Sequence, residues 1–240
     1  MRLYVQRFWC PKRGSTDREY EDAIAFNPGT GTGRRLAVAD GASESSFARL
    51  WANLLVDAYV SGDLVAGTLT DQLRPLQQRW SAEVAAKPLP WYASEKARTG
   101  AFAALAGLTL CRGGIWRSLA AGDCCVLHVR QDQLLTSFPM ESTAAFDSHP
   151  RLLSSNPDRN QGLDQFVHAA CGRWQPGDSF FLMTDALAAY VLRRAIDAGD
   201  SVEAALPFRR PAGFKRWVEE RRDERSLRND DISLLRVRVI

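Results

Sequence analysis

The sequence predicts a layered α+β domain. Three observations carry that reading: short apolar strands in hairpin-like pairs, helical periodicity confined to a few longer segments, and the absence of any repeat or low-complexity tract. A chain of 240 residues can bury one substantial core, and residues 1–240 read as a single domain. Hydrophobic residues at 45% and charged residues at 25% are ordinary globular values, which excludes a disordered or fibrous chain.

Residues 23–27 and 34–39 form the first predicted hairpin, joined by PGTGTG. A helix follows over 44–59, where Phe47, Leu50, Trp51, Leu54, Leu55 and Ala58 share one face, and DGASES resembles its N-terminal cap. A second helix covers 70–86, and each helix is expected to cover a sheet face. Strands 115–121 and 124–130 make another hairpin around Gly122-Asp123, with a further strand at 133–137. Strands at 165–170 and 179–184, helices at 186–198 and 213–222, and a closing strand at 232–239 complete the order.

Several function classes are excluded early. The start, MRLYVQRFWCPKR, has no signal-peptide core, and GAFAALAGLTL falls well short of the ~20 apolar residues a bilayer span needs. The expectation is a cytoplasmic protein without a membrane partner. Cys10, Cys111, Cys124, Cys125 and Cys171 are an odd set without CxxC and read as reduced thiols. A net charge of +3 does not argue for nucleic acid. GTGTG at 29–33 leads into a strand, so it reads as a hairpin turn and not a phosphate loop. His128, His149 and His168 have no spacing that ties them to the acids, and the basic run 209–228 reads as the solvated face of a helix.

The acids are placed differently. Asp40 ends the strand RLAVAD, Asp185 ends SFFLMTD, and Asp230 precedes ISLLRVRVI. In antiparallel sheets the end of one strand lies beside the start of its neighbour, so these residues can share an edge. Counting outward from the first turn places Glu21 and Asp22 opposite Ala39 and Asp40. A single strand-end Asp is usually a turn or cap residue, but a set of them beside apolar strands repels itself unless protons or a cation intervene. All-oxygen ligation favours Mg²⁺ or Mn²⁺ over zinc.

These segments resemble a known family, the PP2C-type (PPM) metal-dependent protein phosphatases, and in particular a bacterial subset. YEDAIAF is similar to the family's Glu-Asp motif and LAVADGAS to its Val-x-Asp-Gly strand end. SLAAGDCCVLHVRQDQL resembles the Gly-Asp-Ser hairpin, PGDSFFLMTDALA the Gly-Asp then Ser-Asp-Gly segment, and NDDISLLRVRV the final Asp-Asn-x-Thr strand. The resemblance implies a four-layer α/β/β/α sandwich of two antiparallel sheets flanked by helices, with two Mn²⁺ or Mg²⁺ ions at one end. Asp40 would bridge both ions, the Gly41 carbonyl would ligate one, Asp185 and Asp230 would bind the other, and Glu21 and Asp22 would support the site directly or through water. Asp123 matches the position of a third, weaker metal. The implied reaction is hydrolysis of phosphoserine or phosphothreonine in a phosphorylated protein substrate, opposed by a cognate Ser/Thr kinase, with metal-activated water as nucleophile. That agrees with the absence of a GxSxG nucleophile elbow.

Four departures from the family pattern stand out. Asp17 occupies the place of the usual phosphate-binding Arg, leaving Arg18, one step late, and Arg13 as candidates. Ala186 replaces a Gly, GAFAALAGLTL replaces a strand that commonly starts Gly-Ser-Thr, and Ala42 stands where some relatives carry His. LPWYASEKARTGAF is similar to strings in the bacterial subset, with Trp91 and Tyr92 expected to pack. The departures keep a second reading alive, a phosphatase-like regulatory module that binds a phosphoprotein or kinase without turnover. A third reading is a hydrolase of a small phosphoester. The oligomeric state is left open.

Overall fold

The computed structural model describes residues 1–27, 33–146 and 150–240, with the side chains of Tyr92 and Ala93 outside the description. Its elements are β1 (Leu3–Cys10), β2 (Ala23–Phe26), β3 (Gly33–Gly41), α1 (Ala48–Ser61), α2 (Leu69–Ala85), α3 (Trp91–Arg98), β4 (Phe102–Cys111), β5 (Ile115–Ala121), β6 (Cys125–Arg130), β7 (Gln133–Phe138), β8 (Leu153–Ser154), β9 (Val167–Arg173), β10 (Ser179–Met183), α4 (Asp185–Leu192), α5 (Val202–Ala205), α6 (Pro211–Asp223) and β11 (Ile232–Val239). Two antiparallel sheets result. Sheet I runs β1-β11-β10-β6-β7, and sheet II runs β2-β3-β4-β5-β9, with β8 on the start of β4.

Strand alternation explains why there are three cores and four layers. Leu36 and Val38 of β3, Leu108 and Leu110 of β4, Phe180 and Leu182 of β10, and Leu235 and Val237 of β11 meet between the sheets. Their neighbours Ala37 and Ala39 turn outward under Trp51 and Leu55 of α1, beside Leu73 and Trp80 of α2. Phe181, Met183 and Leu234 turn outward from sheet I under α4 and α6, against Leu187, Val191, Phe214 and Trp217. The four-layer expectation therefore holds. Helices α1 and α2 share one side, however, and do not cover separate faces.

Local differences have local causes. The first helix begins at Ala48 rather than 44, because Ser45 ties residues 42–46 into a turn by donating to the Ala42 carbonyl (2.8 Å) and accepting from the Phe102 N–H (3.2 Å). Strand β1 was not expected. Its apolar side changes from Leu3 and Val5, facing the inter-sheet core, to Phe8 and Cys10, facing the outer core, so no single alternation marks it. Helix α3 and β8 were also not expected, and Trp91, expected to pack, is 83% exposed at the start of α3. The Tyr92 side chain, His149 and most of the PGTGTG turn lie outside the described residues.

The layer assignment makes a direct prediction. Leu108→Ala, in the inter-sheet core, should cost about 2–5 kcal/mol, whereas Leu135→Ala, at 46% exposure on β7, should cost roughly a tenth of that. Urea unfolding of both variants checks this, and equal losses would contradict the layering.

Candidate metal centre

One end of the sandwich collects the acids, and each arrives there for a local reason. Asp40 is the penultimate residue of β3, and the ladder pairs Ala39 with Ala23. Carrying that register on puts Asp22 across from Asp40 and Glu21 across from Gly41, one step from the alignment with Ala39 expected from the sequence. Gly41 is crowded on that side. A Cβ there would lie 2.6 Å from the Glu21 carbonyl oxygen, so only glycine lets the two segments close. Asp123 follows Gly122 in the β5–β6 turn. Gly122 has φ 82° and packs on Ala104, which carries Asp123 inward to 6% exposure. Asp185 opens α4, where its carboxylate accepts from the Ala186 N–H at the positive end of the helix.

These carboxyls feel one another. Burial, followed by Asp22, Asp185, Asp123 and Asp230, pushes Asp40 far above the carboxylate range. Burial, then Asp231, pushes Asp22 up as well, with Asp185 adding to it, while the Ser233 and Thr184 hydroxyls pull it down. Burial and Asp185 hold Asp123 up at about 7, against the pull of Arg228. The thiol of Cys124 lies in the same field. Burial and Asp40 raise it well above its ordinary value, so it adds no charge.

The predicted residues behave unequally. Asp22 is 2% exposed, and neither of its oxygens has a hydrogen-bond partner among the described residues. Asp185 and Asp230 are bridged by the Arg228 guanidinium, which lies 3.1 Å from Asp230 and closer still to Asp185. Burial lowers the Arg228 pKa, but Asp185 and Asp230 outweigh it and hold the group above its ordinary value. Glu21 pairs with Lys12 at 3.6 Å. Arg18 lines a cavity of about 270 Å³ beside Glu21, together with Lys12 and Arg49. Arg13 is turned away and is held by Glu219 (2.7 Å) and Asp223 (2.8 Å) on α6. As the chain stands, among the described residues no three His, Cys, Asp or Glu side chains close into a set that would hold a metal ion.

Sequence reasoning passed over the residues that frame the centre. Asp231, next to Asp230, is 4% exposed and accepts from the backbone N–H groups of Lys12 and Glu21, both at 2.7 Å. Arg222, from the run read as solvated, is 7% exposed and donates to the carbonyls of Pro11 (3.1 Å) and Asp230 (2.6 Å). Tyr20 shares a short hydrogen bond with Ser233, whose N–H donates to Thr184 (3.0 Å). The adjacent pair Asp230-Asp231 was the available signal. Strand alternation requires one of the two to face away from the cluster.

The donor groups at this end are hard carboxylates, the innermost is buried and unpartnered among the described residues, and its neighbours gain from positive charge that Arg228 supplies to Asp185 and Asp230 and Lys12 to Glu21. The residues fit a hard divalent ion, on condition that Arg228 releases Asp185 and Asp230.

Two packed antiparallel sheets between helical layers, with carboxylates at one end, define the PP2C-type phosphatase fold, and this chain has it. It is similar to the serine/threonine phosphatase Stp1 from Staphylococcus aureus at a TM-score of 0.63 and 11% identity, over 100% of this chain and 96% of that one. The Mycobacterium tuberculosis serine/threonine phosphatase PstP/Ppp matches at 0.59 and 16%, over 99% and 98%. The catalytic domain of PstP in complex with two manganese ions matches at 0.57 and 19%, over 100% of both chains. No family model and no curated protein sequence matches the chain. At these identities the likeness establishes the fold. No helix among the described residues is long and apolar enough to cross a membrane.

The pKa directions give a prediction for metal-free protein. Asp123 is raised when folded, so the unfolded chain ionises first, and the group's contribution to stability, complete below about pH 4, is lost as pH rises through about 7. Asp123→Asn removes that loss. Its stability relative to the unaltered chain should therefore climb between pH 4.5 and 7.5, as read by denaturant unfolding in chelator. A difference that stays flat or falls would contradict the burial.

Proposed function

We propose that the chain is a Mn²⁺- or Mg²⁺-dependent phosphatase acting on phosphoserine or phosphothreonine in proteins. The observation that carries this reading is the mutual field of Asp22, Asp40, Asp123, Asp185 and Asp230 at the end of a PP2C-type sandwich. Structurally similar proteins support the same reading, since one holds two manganese ions and another, RsbX, is in complex with magnesium. Asp40, Asp185, Asp230 and the Gly41 carbonyl would hold two ions, with Glu21 and Asp22 in support and Asp123 toward a third. Bound ions of this kind lower the pKa of a bridging water and offset charge on the departing oxygen.

The chain's own residues supply the rest. Asp231 fixes the backbone of Lys12 and Glu21, and Arg222 fixes that of Asp230, so both acids present from rigid supports. Lys12, Arg18 and Arg49, lining the cavity beside Glu21, are cations available to a substrate phosphate in place of the Arg absent at Asp17. Ala42 has no proton to give, so the leaving alkoxide takes its proton from water. The purified chain should hydrolyse a phosphopeptide with Mn²⁺, stop in chelator, and lose at least ~100-fold in kcat/KM with Asp40→Asn or Asp185→Asn. Turnover that survives chelation would overturn the proposal.

One observation favours a second reading, a regulatory module that binds phosphoproteins without turnover. Arg228 already neutralises two of the acids. Calorimetry with Mn²⁺ separates the two. Under the first reading the unaltered chain binds Mn²⁺, and Arg228→Gln tightens binding about tenfold by removing a competing cation. Under the second, Mn²⁺ binds only after Arg228→Gln.

A further inference from the structure

At the opposite end of sheet I lies a different charge problem. Arg236 of β11 faces outward between Gln6 of β1 and Phe181 of β10 in the ladders. Its side chain is inside the protein, at 5% exposure, with the guanidinium carbon 5.2 Å from the Phe208 ring centre, 5.6 Å from Phe181 and 5.8 Å from Phe8. It donates to the carbonyls of Leu206 (2.6 Å) and Phe208 (3.0 Å), which explains two of its nitrogens as a cap on the chain leaving α5. Among the described residues the third nitrogen, Nε, is buried without a partner and no carboxylate pairs with the group. The carboxylate of Glu203, whose charge reaches it, is engaged with Arg209 at 3.2 Å. Rings and carbonyl dipoles solvate a cation, but they do not neutralise it.

Arg236 forms part of the wall of a cavity of about 840 Å³ whose other charged residues are Arg209, Arg210, Arg238, Glu203 and Asp132. Four arginines face two carboxylates, and neither Arg210 nor Arg238 has an ion-pair partner among the described residues. Arg238 lies two residues further along the same outward face as Arg236, paired in register with Tyr4 and Ser179, so both guanidinia belong to one wall. From Asp230 to Arg236 the strand alone spans roughly 20 Å, which separates this cavity from the acid cluster. Forked guanidinia around a pocket with surplus positive charge match phosphate oxygens better than a monovalent anion.

We infer that this cavity is a second anion site, built to bind a small phosphorylated molecule away from the acid cluster. Arg238 and Arg210 contact the phosphate oxygens, and Arg236 supplies fixed positive charge from the floor. The inference is independent of catalysis at the other end.

Titration calorimetry with inorganic pyrophosphate in excess EDTA tests it, because without divalent ions the acid cluster repels the probe. The expected result is saturable one-to-one binding that weakens steeply with salt, and that falls at least tenfold in Arg238→Glu and again in Arg210→Glu. Both residues are exposed, so both variants should keep the fold, with circular dichroism as the control. Backbone amide shifts should concentrate on β1 and the second half of β11. No saturable binding at millimolar pyrophosphate, or binding that both charge reversals leave unchanged, would overturn the inference. A phosphoserine peptide that binds through Arg238 tenfold more tightly than pyrophosphate would overturn the small-molecule assignment in favour of a protein ligand. Because hydrolysis is silent in chelator, neither result depends on whether the chain is a phosphatase.

Discussion

Among the described residues the buried carboxyl group of Asp22 has no hydrogen-bond partner at either oxygen beyond the weaker pull of the Ser233 and Thr184 hydroxyls, and it lies near Asp40 and Asp231. A buried carboxylate that is neither paired nor hydrogen-bonded costs several kcal/mol, on the order of half a domain's net stability. It therefore takes up a proton or meets a cation. Arg228 reaches Asp185 and Asp230 at the rim but does not reach Asp22. The demand for positive charge is deepest where the protein's own cation cannot go, and this is the condition under which a small inorganic ion outcompetes a side chain.

The surrounding structure is arranged to keep that demand in place. Asp230 and Asp231 are adjacent and chemically identical, yet alternation along the entry to β11 gives them opposite tasks. One faces Arg228 and the cluster, while the other accepts from two backbone N–H groups and so ties the segment between β1 and β2 to the start of β11. Arg222 closes the same loop from α6, and Tyr20, Ser233 and Thr184 lock the strand ends by hydroxyl bonds. Four of these contacts, Lys12 and Glu21 to Asp231, Pro11 to Arg222 and Tyr20 to Ser233, join segments more than 200 residues apart in the chain, and the acids meet because those long-range ties hold.

Much of this was legible in the sequence, and the parts that were not share a cause. Hairpins, helix faces and strand-end acids are local patterns, and 115–121 and 232–239 coincide with β5 and β11. Strand β1 escaped because its apolar face changes side midway, and the start of α1 shifted because Ser45 bonds to Phe102 on a distant strand. Arg222 and Arg228 were hidden in a run of alternating charge that reads as solvated. Nothing in their immediate neighbours distinguishes a guanidinium that caps a buried carbonyl from one that faces water. Long side chains carry their charge far from the backbone position that periodicity reports, so arginines are where a pattern-based reading fails first.

The two ends of sheet I also differ in how they balance charge. At the arginine end itself, where its carbonyl accepts from the Val239 N–H, Asp178 shows a buried group satisfied from within. It accepts from His128, from two nitrogens of Arg130 and from the Gln175 N–H, and although burial raises its pKa, those bonds outweigh burial and hold it below the ordinary range. Among the described residues, the carboxyl of Asp22 and the Nε of Arg236 have no such internal answer. They cannot answer each other either, since roughly 20 Å of strand separates them and screening in salt acts over about 8 Å. One β-strand thus begins at a site short of positive charge and passes through another short of negative charge, and each imbalance calls for its own external ion.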